Sequence, residues 1–291
     1  MQDFTDRVAV VTGAAKGIGR ALAARCVAEG MHVIMADIDA AALDAAAAQL
    51  RRQGSAPITT AATDVADPDS VQELARLAKE SDREIALVFN NAGVATAGDL
   101  GQLWRSASAD WHQIIDVNLW GVINGCMSFL PALMNQTNPS RIVNTASISG
   151  VISAPAIAIY SMTKHAVVSL SDSLDQQLQD EGSTVGVSAV CPGFVRTHLV
   201  DEWTRDRETS EKMSQNHDWL EGRISEGSDP EDIAERIFDG IRQDRRYIFT
   251  HSGFREALVE RHERILADFD AVIPKDPGLS DDPLSSQDED R

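Results

Sequence analysis

Val8-Ala9-Val10-Val11-Thr12-Gly13-Ala14-Ala15-Lys16-Gly17-Ile18-Gly19 is a β-branched run that breaks into three glycines and leads into an amphipathic stretch carrying Leu22, Cys26 and Val27. The valine-rich run suits a strand and the apolar spacing beyond Gly19 suits a helix. Glycines between the two permit a tight turn, let the backbone approach a phosphate closely, and expose N–H groups at a helix start whose dipole favours an anion. A pyrophosphate fits such a turn. The spacing is GxxxGxG and not the GxGxxG of the standard dinucleotide fingerprint, so glycines that merely shape a strand-to-helix turn remain an alternative at this point.

Outward from this unit the alternation repeats. Strands are expected at Val8–Thr12, His32–Asp37, Ile58–Thr63, Ile85–Asn90, Arg141–Ala146, Thr184–Cys191 and Tyr247–Thr250. Between them lie helical patterns at Gly17–Glu29, Ala40–Gln53, Pro68–Glu80, Ser108–Asn135, Ile159–Glu181 and Pro230–Asp239, with a further helix at Arg255–Phe269. Each connection between strands is long enough for a crossover, which points to one doubly wound α/β domain over residues 1–273, a seven-stranded parallel sheet flanked by helices. Two regions break the pattern. Residues 198–228 are polar and charged, interrupted by Trp203, Met213, Trp219 and Leu220, a composition that suits a mobile substrate lid. Residues 274–291 hold six acids against Lys275 and Arg291 and are expected to form a disordered acidic tail.

A chain of 291 residues needs neither disulfides nor metal to build its core. Its formal charge of −19 leaves little drive for nucleic-acid binding. No membrane-spanning run is evident, and Asp3 and Asp6 stand where an export signal carries basic residues, so a cytoplasmic protein is expected. Cys26, Cys126 and Cys191 are far apart and are expected to be reduced and buried. The histidines form no HExxH, and no metal site is expected.

Asp37 ends the second strand about twenty residues beyond the glycine turn, where a carboxylate accepts from an adenosine ribose 2′-OH and repels a 2′-phosphate. That favours NAD over NADP; Lys16 in the turn argues the other way, and an ordinary strand-end capping acid is the alternative for Asp37. Farther along, Tyr160 and Lys164 are four residues apart at the start of a helix and share one face. A cation beside a phenol stabilises the phenolate; bringing its pKa from near 10 to about 7 represents roughly 4 kcal/mol. Ser147 lies just past the fifth expected strand, at the sheet end where open α/β folds bind ligands. Its hydroxyl can hold a substrate oxygen while Tyr160 handles the proton.

Together the Thr12–Gly19 turn, Asn90-Asn91-Ala92-Gly93, Asn118, Ser147, Tyr160-x-x-x-Lys164 and Pro192-Gly193-Phe194-Val195-Arg196-Thr197 resemble the short-chain dehydrogenase/reductase family, in order from about Arg7 to Thr197. The resemblance implies a Rossmann fold in which Gly13, Gly17, Ile18 and Gly19 surround the pyrophosphate, Asp37 the adenosine ribose, and Asp64-Val65 the adenine. It implies that Asn91, Ala92 and Gly93 line the cofactor cleft, that Val195 and Thr197 beside Pro192 and Gly193 hold the nicotinamide carboxamide, and that Tyr160 is the acid/base. Ser147 would orient the substrate oxygen, Lys164 would bind the nicotinamide ribose and lower the Tyr160 pKa, and Asn118 would maintain a water chain from Lys164. A homodimer or homotetramer, paired through helices Ser108–Asn135 and Ile159–Glu181, is implied as well.

The expected activity is NAD-linked oxidation of a secondary alcohol to a ketone, reversible in principle. Ile148, Val151, Ile152, Pro155, Ile157 and the apolar residues of the lid suggest a bulky cyclic, aromatic or terpenoid substrate. Two alternatives stand beside it: an NADPH-dependent carbonyl or 3-oxoacyl reductase, and a catalytically silent dinucleotide sensor or scaffold, whose usual mark is loss of Ser147, Tyr160 or Lys164.

Overall fold

A computed structural model describes residues 3–95, 102–197, 199 and 211–272 of the chain. In β1 (Val8–Thr12) every residue is buried, with Val8 and Val10 turned to one face and Ala9 and Val11 to the other. That period-two alternation between two apolar layers is what a central parallel strand requires. Its neighbours are β2 (His32–Asp37) and β4 (Ile85–Asn90), and Val10 pairs with Ile34 and Val88. With β3 (Ile58–Ala62), β5 (Ser140–Thr145), β6 (Val185–Cys191) and β7 (Tyr247–Phe249), the described strands form one parallel sheet in the order β3-β2-β1-β4-β5-β6-β7. The connections reverse direction between β1 and β4, and a crevice opens at the carboxyl ends of the strands there.

Helices α1 (Gly17–Ala28), α2 (Ala40–Arg51) and α8 (Pro230–Arg242) supply one layer through Leu22, Leu43, Ile237 and Phe238. The Phe238 ring meets Phe4 edge-on at 5.6 Å and Phe89 at 6.1 Å. Burial of a ring of this size contributes about 2–3 kcal/mol. The opposite layer is built from α3 (Pro68–Lys79), α5 (Gly121–Leu133) and α6 (Ala158–Asp180), through Leu74, Phe129 and Val167. α3 starts on an Asp67 cap with Pro68 at its first position, a sequence signal for a helix start that the fold uses as written.

A buried polar chain ties the centre together. Asn90 Nδ2 donates to Asn144 Oδ1 at 2.9 Å, and Asn144 Nδ2 donates to Ser171 Oγ at 3.0 Å. Gly125 makes room for it, since a Cβ there would lie 2.0 Å from Asn90 Oδ1.

Two expectations gain detail. The helix expected at Ser108–Asn135 is present over Ser108–Leu133, with a π turn at Asp116–Trp120 between its α4 (Ser108–Ile115) and α5 segments. Asn118 sits in this turn with its amide held by the Val94 backbone, and a π turn re-aims a residue without ending the helix axis. This stretch is apolar and long enough to cross a membrane by composition alone, but Ile114, Val122, Phe129 and Leu133 are buried within the fold. Second, part of the polar lid is a regular helix, α7 (Glu211–Ser225), with Leu220 and Ile224 buried in a small cluster beside Ala95 and Ile157. Residues 198 and 200–210, including Trp203, and the acidic tail lie outside the described residues. The compact unit extends to Ser252, and α9 (Arg255–Val272) belongs to a second unit that begins at Gly253.

Candidate active site

At the sheet's switch point lies a cavity of about 750 Å³ whose wall includes Gly13, Gly17, Ile18 and Gly19. Gly13 and Gly17 have φ of +65° and +53°, a region that side chains rarely occupy. A Cβ at Gly19 would lie 2.0 Å from the Gly13 carbonyl oxygen, and one at Gly13 would lie 2.9 Å from Ala92 Cα. The N-cap of α1, Lys16, is extended and its side chain does not cap the first turn. A close-approach glycine turn leading to such a helix start fits the diphosphate of a dinucleotide. Asp37 reaches the same cavity while one carboxylate oxygen accepts from Ala15 N at 3.0 Å and the other from Asp39 N at 3.1 Å. It therefore both braces the turn and faces the ligand space. Asp64 and Val65 also border the cavity, and the Val65 carbonyl is held by Asn124 Nδ2 at 2.9 Å.

The strand ends interlock through Thr12. Its Oγ1 donates to the Phe89 carbonyl and accepts from Asn91 N at 2.9 Å and Ala92 N at 3.1 Å, while Asn91 Nδ2 donates to the Thr12 carbonyl at 2.9 Å. Asn91, Ala92 and Gly93 are thereby fixed along the cavity. Asn118 works from behind. It is fully buried, accepts from Val94 N and donates to the Val94 carbonyl, both at 2.8 Å, and it is the one predicted site residue absent from the cavity wall.

Ser147, Tyr160 and Lys164 all border the cavity. Ser147 follows β5 in an extended conformation, its Oγ accepting from Ser149 N at 3.1 Å. Gly150 lets this turn rest on α6, since a Cβ there would lie 2.6 Å from the Lys164 carbonyl oxygen. From α6 the Lys164 ammonium lies 5.4 Å from the centre of the Tyr160 ring and donates to the Thr145 carbonyl at 2.8 Å. Burial pushes its pKa down to about 8, only partly opposed by the neighbouring Cys191. The arrangement combines a phenol, a cation held beside its ring and a hydroxyl at one end of a dinucleotide-sized space.

Pro192, Gly193, Val195 and Thr197 border the cavity as expected, and Ile148 N donates to the Pro192 carbonyl at 2.8 Å, so the Ser147 turn and this loop are joined. Of the apolar residues expected around a substrate, Ile148, Ile157, Trp219 and Leu220 reach the cavity; Val151 packs into the core beneath it, and Ile152 and Pro155 are not on its wall. The Met213 side chain is outside the described set. Sequence reasoning missed Asp110 and Gln113 of α4, together with Phe194 and Ile224. Asp110 and Gln113 carry a faint signal, two polar residues about one turn apart on one face of α4. On α7, His217, Asp218 and Glu221 bring ligand atoms within 4.8 Å of one another, largely exposed, an arrangement helix-surface charges commonly adopt.

Compared with known proteins, residues 7–208 match the family model of the short chain dehydrogenase. A 1-deoxy-11-beta-hydroxypentalenate dehydrogenase of Streptomyces exfoliatus is 35% identical over 260 residues, covering 89% of this chain and 88% of that one. The CLA biosynthesis dehydrogenase/reductase of Lactiplantibacillus plantarum is 30% identical and covers 92% and 96%. Among solved structures, a short chain dehydrogenase/reductase from Burkholderia phymatum in complex with NAD superposes with a TM-score of 0.87 at 36% identity, over 92% of this chain and 97% of that chain.

Proposed function

The chain belongs to the short-chain dehydrogenase/reductase family, and from that premise we propose that it interconverts a bulky, apolar secondary alcohol and its ketone, with NAD as cofactor. One observation carries the proposal: Ser147, Tyr160 and Lys164 open into the same cavity as the glycine turn and Asp37. The nicotinamide, when bound, supplies the hydride acceptor. Ser147 Oγ holds the substrate oxygen, Tyr160 Oη takes the hydroxyl proton, and Lys164 stabilises the phenolate and holds the nicotinamide ribose.

The adenosine end supports NAD. Asp37 offers carboxylate lone pairs to a ribose hydroxyl and would repel a phosphate on it, and the Burkholderia phymatum relative is in complex with NAD. Lys16 on the same wall is the observation favouring an NADPH-dependent carbonyl reductase. For the substrate, the support is the apolar cluster of Ala95, Ile157, Leu220 and Ile224, which packs with Tyr160 and Phe194, and the Trp219 ring edge-on to Phe194 at 5.9 Å. The Streptomyces exfoliatus relative, named for a hydroxypentalenate, agrees with an alcohol of this kind. Exposed Trp120, Met127 of α5 and Met162 of α6 support pairing of these helices in a homodimer or homotetramer.

Absorbance at 340 nm, with NAD and NADP in turn across cyclic, aromatic and aliphatic secondary alcohols, tests the reading. Reduction of NAD is expected to dominate. Asp37→Asn keeps an acceptor for Ala15 N but removes the charge, and it is expected to move the NAD:NADP ratio of kcat/KM toward NADP by about a hundredfold, the scale of one screened charge pair. A wild type active only with NADP, or an unchanged ratio in the variant, refutes the assignment of Asp37.

A further inference from the structure

His251 follows β7 and is absent from the cavity wall, yet it holds the loop that borders it. Gly193 N donates to His251 Nδ1 at 3.0 Å, and Thr250 Oγ1 lies 2.8 Å from the same nitrogen. On the other side of the ring, Nε2 lies 3.1 Å from Ser228 Oγ. Ser228 is itself laced to the loop: its N donates to the Phe194 carbonyl at 3.1 Å, and its carbonyl accepts from Arg196 N at 3.0 Å. Gly227 allows this approach, since a Cβ there would lie 2.6 Å from the Phe194 oxygen. One imidazole thus grips residues 193–196 directly and through Ser228.

A backbone N–H can only donate, so Nδ1 must present its lone pair and the ring proton belongs on Nε2, donating to Ser228. We propose that neutral His251 is a positioning residue that fixes the Gly193–Thr197 loop against the nicotinamide end of the dinucleotide, and that its protonation releases the loop. The proposal rests on the NAD-dehydrogenase reading. Protonation would set an Nδ1–H against the Gly193 N–H, donor against donor. The surroundings favour the neutral ring: burial and Arg236 of α8 lower its pKa, opposed by the Phe194 backbone. Arg236 also donates to the Thr250 carbonyl, and the Arg196–Asp229 ion pair joins the loop to the start of α8. Thr250, Gly193 and Ser228, which the ring also meets, do not titrate in this range.

Calorimetric titration of NAD into the wild type, His251→Leu and His251→Asn at about pH 8 and about pH 5 tests this without any substrate. Leucine leaves the Gly193 N–H without its acceptor, and the Kd at pH 8 is expected to rise about tenfold. Asparagine offers Oδ1 near the place of Nδ1 and cannot ionise, so its affinity is expected to stay within about threefold of the wild type and to be the same at both pH values. The wild-type Kd is expected to be higher at pH 5 than at pH 8, moving toward that of His251→Leu. A wild type that binds NAD with His251→Leu unchanged, or an asparagine variant that weakens in acid as the wild type does, overturns the role of His251. If His251→Leu does not fold, the asparagine comparison decides alone. A wild type that binds neither NAD nor NADP overturns the dehydrogenase reading, and the role of His251 with it.

Discussion

Tyr160→Phe is expected to lower kcat by about three to four orders of magnitude while leaving the NAD Kd within about threefold. The ring itself is kept, so the cluster with Ile157, Leu220 and Ile224 loses no packing, and the Lys164 ammonium still lies over an aromatic face. What disappears is the only atom of that side chain able to exchange a proton with a substrate oxygen. Ser147 cannot replace it, because a serine hydroxyl is a poor acid and base unless another group activates it, and its Oγ is engaged as the acceptor for Ser149 N. Turnover followed at 340 nm and binding followed by calorimetry separate the two quantities. Loss of both together would make Tyr160 a structural residue, and full activity would remove it from the chemistry.

Lys164→Met is expected to abolish turnover and to make the protein more stable. The folded protein holds this ammonium at about pKa 8 against an ordinary 10.5, which corresponds to about 3 kcal/mol by which burial disfavours the charge. Methionine of similar length removes that cost and gives up the hydrogen bond to the Thr145 carbonyl, worth about 1 kcal/mol. The net gain of about 2 kcal/mol is expected to raise Tm by about 5 °C for a protein of this size. The pH dependence has a definite sign. Between about pH 8 and pH 10.5 the unfolded chain keeps a proton on Lys164 that the folded chain has shed, so wild-type stability gains from rising pH there. The advantage of the variant is therefore full below pH 8 and fades toward pH 10.5. A variant that melts earlier than the wild type at pH 7 would show that the buried ammonium is better compensated than its lowered pKa implies. A cation costly to bury is retained because the site needs its charge.

Most of the architecture was legible because period and punctuation agreed. Each expected strand lies within one or two residues of an observed one, from Val8–Thr12 to Tyr247–Phe249, since β-branched runs between helical patterns have few other ways to pack. Asn118 could be read from the sequence as a kink in its helix, and the π turn at Asp116–Trp120 holds it; its partner Val94, 24 residues away, is invisible to local pattern. The polar composition of 211–225 hid a helix that contributes Leu220 and Ile224 to a small apolar cluster. Seventeen of the eighteen predicted site residues border one cavity, because ordered motifs at strand ends must converge in this fold; Asn118 stands behind it. His251 left no signal at all. Its significance arises only when β7 is paired beside β6 and the ring meets Gly193.

The thiols have a practical consequence. Cys26 on α1, Cys126 on α5 and Cys191 at the end of β6 are all buried, and burial raises each of them, Cys126 to about 11 and Cys191 to about 12. Neither exposure nor thiolate is available to an alkylating reagent while the fold is closed. A chromogenic disulfide reagent is therefore expected to find no reactive equivalents in the native protein and three in denaturant; rapid labelling of any one without denaturant would contradict this. The labelling rates become stopwatches for how often the glycine-turn helix, the central polar chain and the catalytic strand end each breathe open.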